Sequence, residues 1–168
     1  MKKQSLALIL VFLGFMSLNA ATVSVLVVES GLPPGNGCTS SAEVWESGFM
    51  DTFFDAGHIV SNAPCFQIGS ILDSNADIAA SRVLPREVNG DFDQARIGGA
   101  DFFVLVILNY TESMEHPKDV IIRVFSVSTG DLLHETKGTV KAWINTDEEF
   151  LDVKRQAGRI VPHLVKKG

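Results

Sequence analysis

The sequence predicts a single α/β domain with a mixed sheet of about five strands and helices on both faces. Short apolar runs alternate with segments of helical periodicity, which is typical of a partly parallel sheet. Residues 102–108 are apolar at every position, so this strand should lie in the sheet centre, covered from both sides. Two later strands meet at Ser128-Thr129-Gly130-Asp131, which favours an antiparallel hairpin. The predicted order is therefore β-α-β-α-β-β-β-α.

The first strand and the first helix have the clearest patterns. Residues 22–28 form a short apolar run of the kind that is buried in a sheet interior. After a loop rich in proline and glycine, Ser40 and Glu43 have the spacing of a capping box, which predicts that a helix begins there. Apolar residues then recur at helical spacing until Gly57, which suits a carboxyl cap.

The later elements are predicted from the same periodicities and from the turn residues between them. Pro85 should end the second helix, and Gly98 and Gly99 should end a short helical piece before the central strand. The predicted elements are a strand at residues 58–61, helices at 70–83 and 92–97, strands at 101–108, 120–128 and 132–144, and a last helix from 147 to about 166.

The amino terminus has the pattern of a secretory signal peptide. Lys2 and Lys3 precede an apolar core at residues 6–15, and the small residues Ala20 and Ala21 suit cleavage after either one. This core is shorter than the roughly twenty residues that span a bilayer, and no cysteine follows the cleavage point to carry a lipid. We therefore expect a signal peptide at 1–20 and a soluble domain at 21–168, without a stable membrane anchor. The expected location is the periplasm, with secretion as the alternative.

The charge of the chain argues against two classes of partner. The net charge is −6, and removal of the two leader lysines would make it −8. Nucleic acids and anionic bilayers both require a positive surface, so neither is expected as a partner.

Cys38 and Cys65 are the only cysteines, and we expect them to form a disulfide. Both lie in loops rich in Gly, Pro and Asn, and an exported chain folds under oxidising conditions. If the first two strands are adjacent and parallel, these loops leave the same edge of the sheet and the sulfurs can meet. A redox or metal role is less favoured, because the chain has no Cys-x-x-Cys and no histidine at ligand spacing.

No set of residues in the sequence indicates a particular chemistry. The glycine-rich loop at 31–40 lacks the lysine of a phosphate loop, and the acidic stretch at 73–77 lacks the residues that complete a calcium loop. The four histidines are dispersed, no serine lies in a nucleophile elbow, and Trp45 and Trp143 are predicted to pack in the core. We accordingly predict that the protein is not an enzyme and has no catalytic, cofactor or metal residues.

The chain resembles a group of bacterial envelope domains. The resemblance rests on the phrase Ala95-Arg96-Ile97-Gly98-Gly99-Ala100-Asp101, which leads from a helix into the central strand, and on the hairpin at Ser128-Thr129-Gly130-Asp131. The group includes the amino-terminal domain of TolB, the periplasmic domain of the curli-secretion channel subunit and the lipoprotein activators of penicillin-binding proteins. The resemblance covers nearly the whole mature chain, and it implies an α/β domain that binds other proteins.

We therefore expect an exported, non-catalytic module that binds proteins of a bacterial envelope complex of the secretion, cell-wall or flagellar type, with a homo-oligomer as a further option. The expected partner-binding residues are Leu32, Pro33 and Phe66, apolar groups of the loops 29–39 and 62–67 that the disulfide would hold side by side. Two alternatives stay open. One is a secreted hydrolase or metal-dependent enzyme whose residues meet only in space, and the other is a carrier of a small ligand at the strand ends.

Overall fold

The computed structural model describes residues 20–32, 37–69, 86–111, 116–140 and 142–165. Strands and helices alternate along these residues as predicted. The elements are β1 (Thr22–Ser30), α1 (Ser40–Asp55), β2 (Ile59–Asn62), β3 (Phe66–Ile68), α2 (Asn89–Ile97), β4 (Phe102–Asn109), β5 (Asp119–Ser126), β6 (Leu132–Thr139) and α3 (Thr146–Ile160), with 3-10 turns at Arg86–Val88 and Val161–His163.

The strands form one mixed sheet in the order β2-β1-β4-β5-β6, and β3 pairs with β1 beyond the end of β2. β1 runs parallel to β2, β3 and β4, whereas β5 and β6 are antiparallel to their neighbours. In the register of the sheet, Val25 lies opposite Val104, which in turn lies opposite Val124. The parallel half therefore comes from the strand–helix units and the antiparallel half from the hairpin.

The alternating residues of β1 and β4 contribute to two separate cores, because both faces of these strands are covered. On one face, which we call the α1/α3 face, helices α1 and α3 pack on the sheet, and on the other, the α2 face, helix α2 does so. The α1/α3 core includes Val25, Val27, Val104, Val106, Trp45, Phe49, Phe53, Val153, Ala157 and Ile160. The α2 core includes Leu26, Val28, Phe103, Leu105, Ile107, Ile121, Phe125, Phe92 and Ala95.

The predicted fold class is confirmed, since this is a single α/β domain with a mixed sheet and helices on both faces. Trp45 and Trp143 are both buried, as predicted. The structure corrects several boundaries and adds a strand: α2 begins at Asn89 instead of residue 92, and β5 ends at Ser126 instead of residue 128. β1 continues to Ser30, β6 ends at Thr139 instead of residue 144, α3 ends at Ile160 instead of near 166, and the three-residue β3 was not predicted. The helix predicted over 70–83 lies outside the described residues.

The start of α1 also differs from the predicted capping box. The amino-terminal cap is Thr39 in an extended conformation, and Ser40 is already helical. The Thr39 hydroxyl donates to the carboxylate of Glu29 and makes no bond to the end of the helix. A tertiary contact has thus replaced the local cap that the spacing of Ser40 and Glu43 indicated.

Candidate functional site

Polar residues gather where β1 and β4 end, because adjacent parallel strands bring their carboxyl ends to the same edge of the sheet. The side chains that meet there are buried or half-buried and are joined by hydrogen bonds. We call this group the edge cluster, and its members are Glu29, Ser30, Thr39, Gln67, Asn109 and Tyr110.

The carboxylate of Glu29 is the centre of the edge cluster and is fully buried. Its Oε1 accepts hydrogen bonds from the hydroxyls of Thr39 and Tyr110, the latter at 3.1 Å. Its Oε2 accepts bonds from the Thr39 backbone N–H at 3.1 Å and from Nε2 of Gln67 at 3.0 Å. Four donors suit an ionised carboxylate, which only accepts hydrogen bonds, and the amino terminus of α1 adds a favourable dipole.

The Tyr110 hydroxyl acts as a neutral donor in this cluster. Burial raises the pKa of Tyr110 well above its ordinary value of 10.0, and the nearby negative charge of Glu29 raises it further. The phenol therefore keeps its proton and continues to donate to Glu29 over the whole physiological pH range.

A second chain of hydrogen bonds ties the same strand ends together. The Ser30 hydroxyl donates to Oδ1 of Asn109, and Nδ2 of Asn109 donates to Oδ1 of Asp119 at 2.7 Å. These bonds connect β1, β4 and β5 in one line across the sheet. Side-chain hydrogen bonds therefore connect the strands at this end of the sheet in addition to the backbone ladder.

The structure contains the disulfide that the sequence led us to expect. Cys38 and Cys65 are bonded, with their Cα atoms 6.2 Å apart, and both side chains are half-buried. The bond joins the segment before α1 to the segment between β2 and β3. A carboxylate oxygen of Glu29 and the two sulfurs all lie within 4.8 Å of one another, so the disulfide sits against the edge cluster.

Of the predicted partner-binding residues, the structure describes Leu32 and Phe66, which pack on different faces of the sheet. Leu32 is half-buried and packs against the α1/α3 core, whereas Phe66 is half-buried and packs against the α2 core. Pro33 lies outside the described residues. The disulfide joins the two loops, as expected. Their described apolar side chains, however, lie on opposite faces of the sheet and are partly buried in its two cores.

The other notable surface is the last strand of the sheet. Among the described strands, β6 pairs only with β5, so one side of its backbone is left without a strand partner. Arg123, which is buried, holds β6 to β5 through a 2.7 Å ion pair between its Nε and Oε2 of Glu135. A bulge between the pairs of Val124 and Phe125 leaves Leu133 exposed near the start of β6.

A groove of about 400 Å³ runs between β6 and α3 on the α1/α3 face. Apolar side chains of β5 and Trp143 line it together with polar side chains and charges of both signs. The lining residues include Val120, Ile122, Thr136, Lys137, Gly138, Trp143, Glu148, Asp152, Arg155 and Arg159. The groove borders the open strand, so a chain that paired with β6 could place its side chains there.

Two histidines stack near one end of this strand. The rings of His134 on β6 and His163 after α3 are 3.8 Å apart and nearly parallel. Burial lowers the pKa of His134, and the neighbouring His163 lowers it further. The pair therefore favours the neutral form of His134 near neutral pH.

Sequence reasoning missed the edge cluster because it placed Glu29 at the beginning of a loop. The signal was nevertheless present, since Glu29-Ser30 and Asn109-Tyr110 each follow a long apolar run directly. Two neighbouring parallel strands that both end in polar residues predict that these residues meet.

In the part of the chain that the structure describes, no helix has the length and apolar character needed to cross a membrane. No protein-family model matches the chain, and no curated protein matches it.

Several solved structures are similar to the chain in fold. A PelC dodecamer from Paraburkholderia phytofirmans has 12% identity and a TM-score of 0.48, covering 89% of this chain and 91% of that one. The LpoB C-terminal domain from Escherichia coli has 16% identity and a TM-score of 0.43, covering 81% of this chain and 94% of that one. TolB from Acinetobacter baumannii has 10% identity and a TM-score of 0.38, covering 86% of this chain and 27% of that one. TolB is thus both a structural match and one of the proteins that the sequence resembles.

Proposed function

We propose that this protein is a non-catalytic module that binds other proteins in the bacterial cell envelope, and that an extended segment of the partner pairs with β6. The observation that carries the proposal is the open side of β6, which borders the groove beside α3. The signal-peptide pattern, the disulfide and the resemblance of the sequence support the envelope location.

An open strand edge suits this role because its backbone groups can form a new ladder with an incoming strand. The backbone ladder would supply affinity without demanding a particular sequence. The groove would supply selectivity, since every second side chain of the added strand could reach its apolar and charged lining residues. The ion pair between Arg123 and Glu135 keeps the edge in place before the partner arrives, which lowers the entropic cost of binding.

The loop surface around Leu32, Pro33 and Phe66 is a second candidate for the same function. What favours it is the disulfide between Cys38 and Cys65, which holds both loops in position. Against it, Leu32 and Phe66 already pack against different cores, so part of their apolar surface is used by the fold.

Site-specific photo-crosslinking in the native envelope tests the proposal and separates the two surfaces. A photoreactive amino acid would be placed at exposed Thr139 on β6, at half-buried Phe66 on the loop surface, and at Ile97 on α2 as the control, since Ile97 is 77% exposed and belongs to neither proposed surface. We expect one specific adduct from position 139, identified by mass spectrometry, and none from position 97.

The partner so identified would then be purified and titrated with the chain. Replacement of Leu133 and Thr139 by proline should weaken binding by at least about ten-fold, or about 1.4 kcal/mol, while Ile97→Ser should not change it. Adducts that appear only at position 66 would assign the binding to the loop surface. Equal crosslinking at all three positions would contradict the proposal of a specific binding module.

A further inference from the structure

The disulfide lies next to the edge cluster, so its two sulfurs are close to the carboxylate of Glu29. The two sulfurs, which are bonded to each other, and a carboxylate oxygen of fully buried Glu29 lie within 4.8 Å of one another, so all three groups are placed to reach one cation after the bond is reduced. In the oxidised protein the sulfurs are bonded to each other and cannot act as thiolate ligands. We propose that the reduced protein binds one thiophilic divalent cation, such as Zn²⁺, through Cys38, Cys65 and Glu29.

The ligand types fit such a cation. Zinc and its analogue cadmium prefer thiolates and accept a carboxylate oxygen as an additional ligand in a tetrahedral set. Without a cation, the two cysteines beside the Glu29 carboxylate are expected to stay protonated, because two thiolates would place three negative charges in a half-buried pocket. A divalent cation offsets the mutual repulsion of the three anionic ligands, so both cysteines can lose their protons when the cation binds.

Gln67 provides an independent indication that the cluster can accept a ligand. Its Oε1 is buried and has no hydrogen-bond partner, although its Nε2 donates to Oε2 of Glu29. A buried acceptor without a donor carries an energetic cost that folded proteins usually avoid. Rotation of this amide would withdraw a donor from Glu29 and direct an oxygen towards the same place. The cation, or a water bound to it, would then satisfy Oε1.

Reduction of the disulfide and binding of the cation are two separate steps. A dithiol transfers two electrons and two protons to the disulfide, which yields the Cys38 and Cys65 thiols and the oxidised reagent. Binding of the cation to the two sulfurs then releases two protons to solvent. The remaining donors to Glu29, from Thr39 and Tyr110, hold the carboxylate in position throughout.

Cadmium binding tests the proposal directly, because cadmium thiolates absorb in the ultraviolet. The purified chain would be reduced with a phosphine, which does not compete strongly for the metal, and titrated with Cd²⁺ and, by calorimetry, with Zn²⁺. We expect one Cd²⁺ per reduced chain and no thiolate band from the oxidised chain. The oxidised chain is the control for weak binding by surface carboxylates such as Asp51 and Asp55.

Two variants separate the proposed site from simple chelation by two thiols. Glu29→Gln should weaken Cd²⁺ binding at least ten-fold while two thiols remain, whereas Glu43→Gln on the exposed side of α1 should leave it unchanged. If Glu29→Gln does not fold, Gln67→Leu keeps both thiols and the carboxylate and should weaken binding by a smaller factor.

Folding is the second readout. Because the site exists only in the folded chain, Zn²⁺ should raise the Tm of the reduced wild type and leave that of the oxidised protein unchanged. The proposal would be overturned by a reduced chain that binds no Cd²⁺, by unchanged affinity in Glu29→Gln and Gln67→Leu, or by a reduced chain that binds metal only when unfolded. None of these results would bear on the β6 edge, so failure here is distinguishable from failure of the proposed function.

Discussion

Gly48 on α1 and Val153 on α3 approach so closely that a Cβ atom added to Gly48 would lie 2.6 Å from Cγ1 of Val153. The two helices cover the same face of the sheet, and they can pack this tightly only because one of them lacks a side chain at the contact. Gly48 is therefore a packing residue, although glycine normally disfavours a helix interior.

Replacing Gly48 with alanine should destabilise the protein despite the better helix propensity of alanine. The added methyl group would overlap Val153, and overpacking of this kind typically costs about 1–3 kcal/mol. Urea unfolding at neutral pH measures the change. Because the two positions are in contact, Val153→Ala should relieve part of the cost in the double variant, so the two effects should not add.

Gly158 on α3 is the matched control, since a Cβ atom there would meet no atom within 4 Å. Gly158→Ala should be neutral or stabilising by up to about 1 kcal/mol, because only helix propensity changes. If Gly48→Ala proves as harmless as Gly158→Ala, then α1 and α3 do not pack at this contact.

The second prediction concerns Glu149, which joins the same two helices. Its Oε1 accepts a 3.1 Å hydrogen bond from Nε1 of Trp45, and both side chains are buried. Burial raises the pKa of Glu149 above its ordinary value, partly offset by hydrogen bonds from Ser41 and Trp45. Between the ordinary and the raised pKa, the folded state binds more protons than the unfolded state, so stability falls as pH rises through that window.

Glu149→Gln removes this titration and keeps an oxygen for Trp45. We expect the stability of the variant relative to wild type to increase as pH rises above about 4, the ordinary carboxyl pKa, and through the raised pKa of Glu149 in the folded protein. Urea unfolding at several pH values measures the difference. Exposed Glu43→Gln serves as the control for loss of one charge. An equal pH trend in both variants would contradict a raised pKa at Glu149.

The layout of the sheet could be predicted because a strand that is buried on both faces is apolar at every position, which is visible in the local sequence. The uninterrupted apolar run of β4 and the glycines at 98 and 99 could be interpreted without knowledge of the rest of the chain. The disulfide could be anticipated for a related reason, since two loops after adjacent parallel strands must leave the same edge.

The interior of the edge cluster could not be derived in the same way. Whether Thr39 caps its own helix or donates to Glu29 depends on which strands lie beside β1, and that is decided by contacts between distant residues. The same holds for the end of β6 at Thr139, because residues 140–144 are mostly apolar and their local β propensity did not predict where the strand ends.

The third prediction tests the central strand. Val104 is fully buried on β4 between β1 and β5, and aspartate there would leave a charge in the core at a cost of several kcal/mol. Val104→Asp should therefore abolish soluble expression. Ile97→Asp at a 77% exposed position should express and unfold like wild type, as measured by circular dichroism. Normal folding of Val104→Asp would mean that this strand is not in the sheet centre.

The last prediction uses Tyr110, which is the only tyrosine of the chain. Tyr110→Phe removes one of the two hydroxyl donors to Oε1 of buried Glu29, and loss of such a bond costs about 1–3 kcal/mol. The measurement is urea unfolding at neutral pH. Thr52→Val on α1 is the control, because it also removes one hydroxyl hydrogen bond, but one made to the backbone of Gly48 and not to a buried charge. Thr52→Val should lower the free energy of unfolding by less than Tyr110→Phe does.

Alkaline titration distinguishes a role of Tyr110 in the cluster from simple packing. Burial raises the pKa of Tyr110, so above about pH 10 the unfolded chain loses the phenolic proton while the folded chain keeps it, and wild-type stability falls as pH rises. Tyr110→Phe lacks this contribution, so its deficit relative to wild type should shrink above about pH 10. The absorbance of the single tyrosine reports the ionisation directly: it should show no phenolate in the folded protein at a pH where the urea-unfolded protein is largely ionised. Ionisation of folded Tyr110 at its ordinary pKa would mean that the phenol is accessible to water and that Glu29 is not held as described.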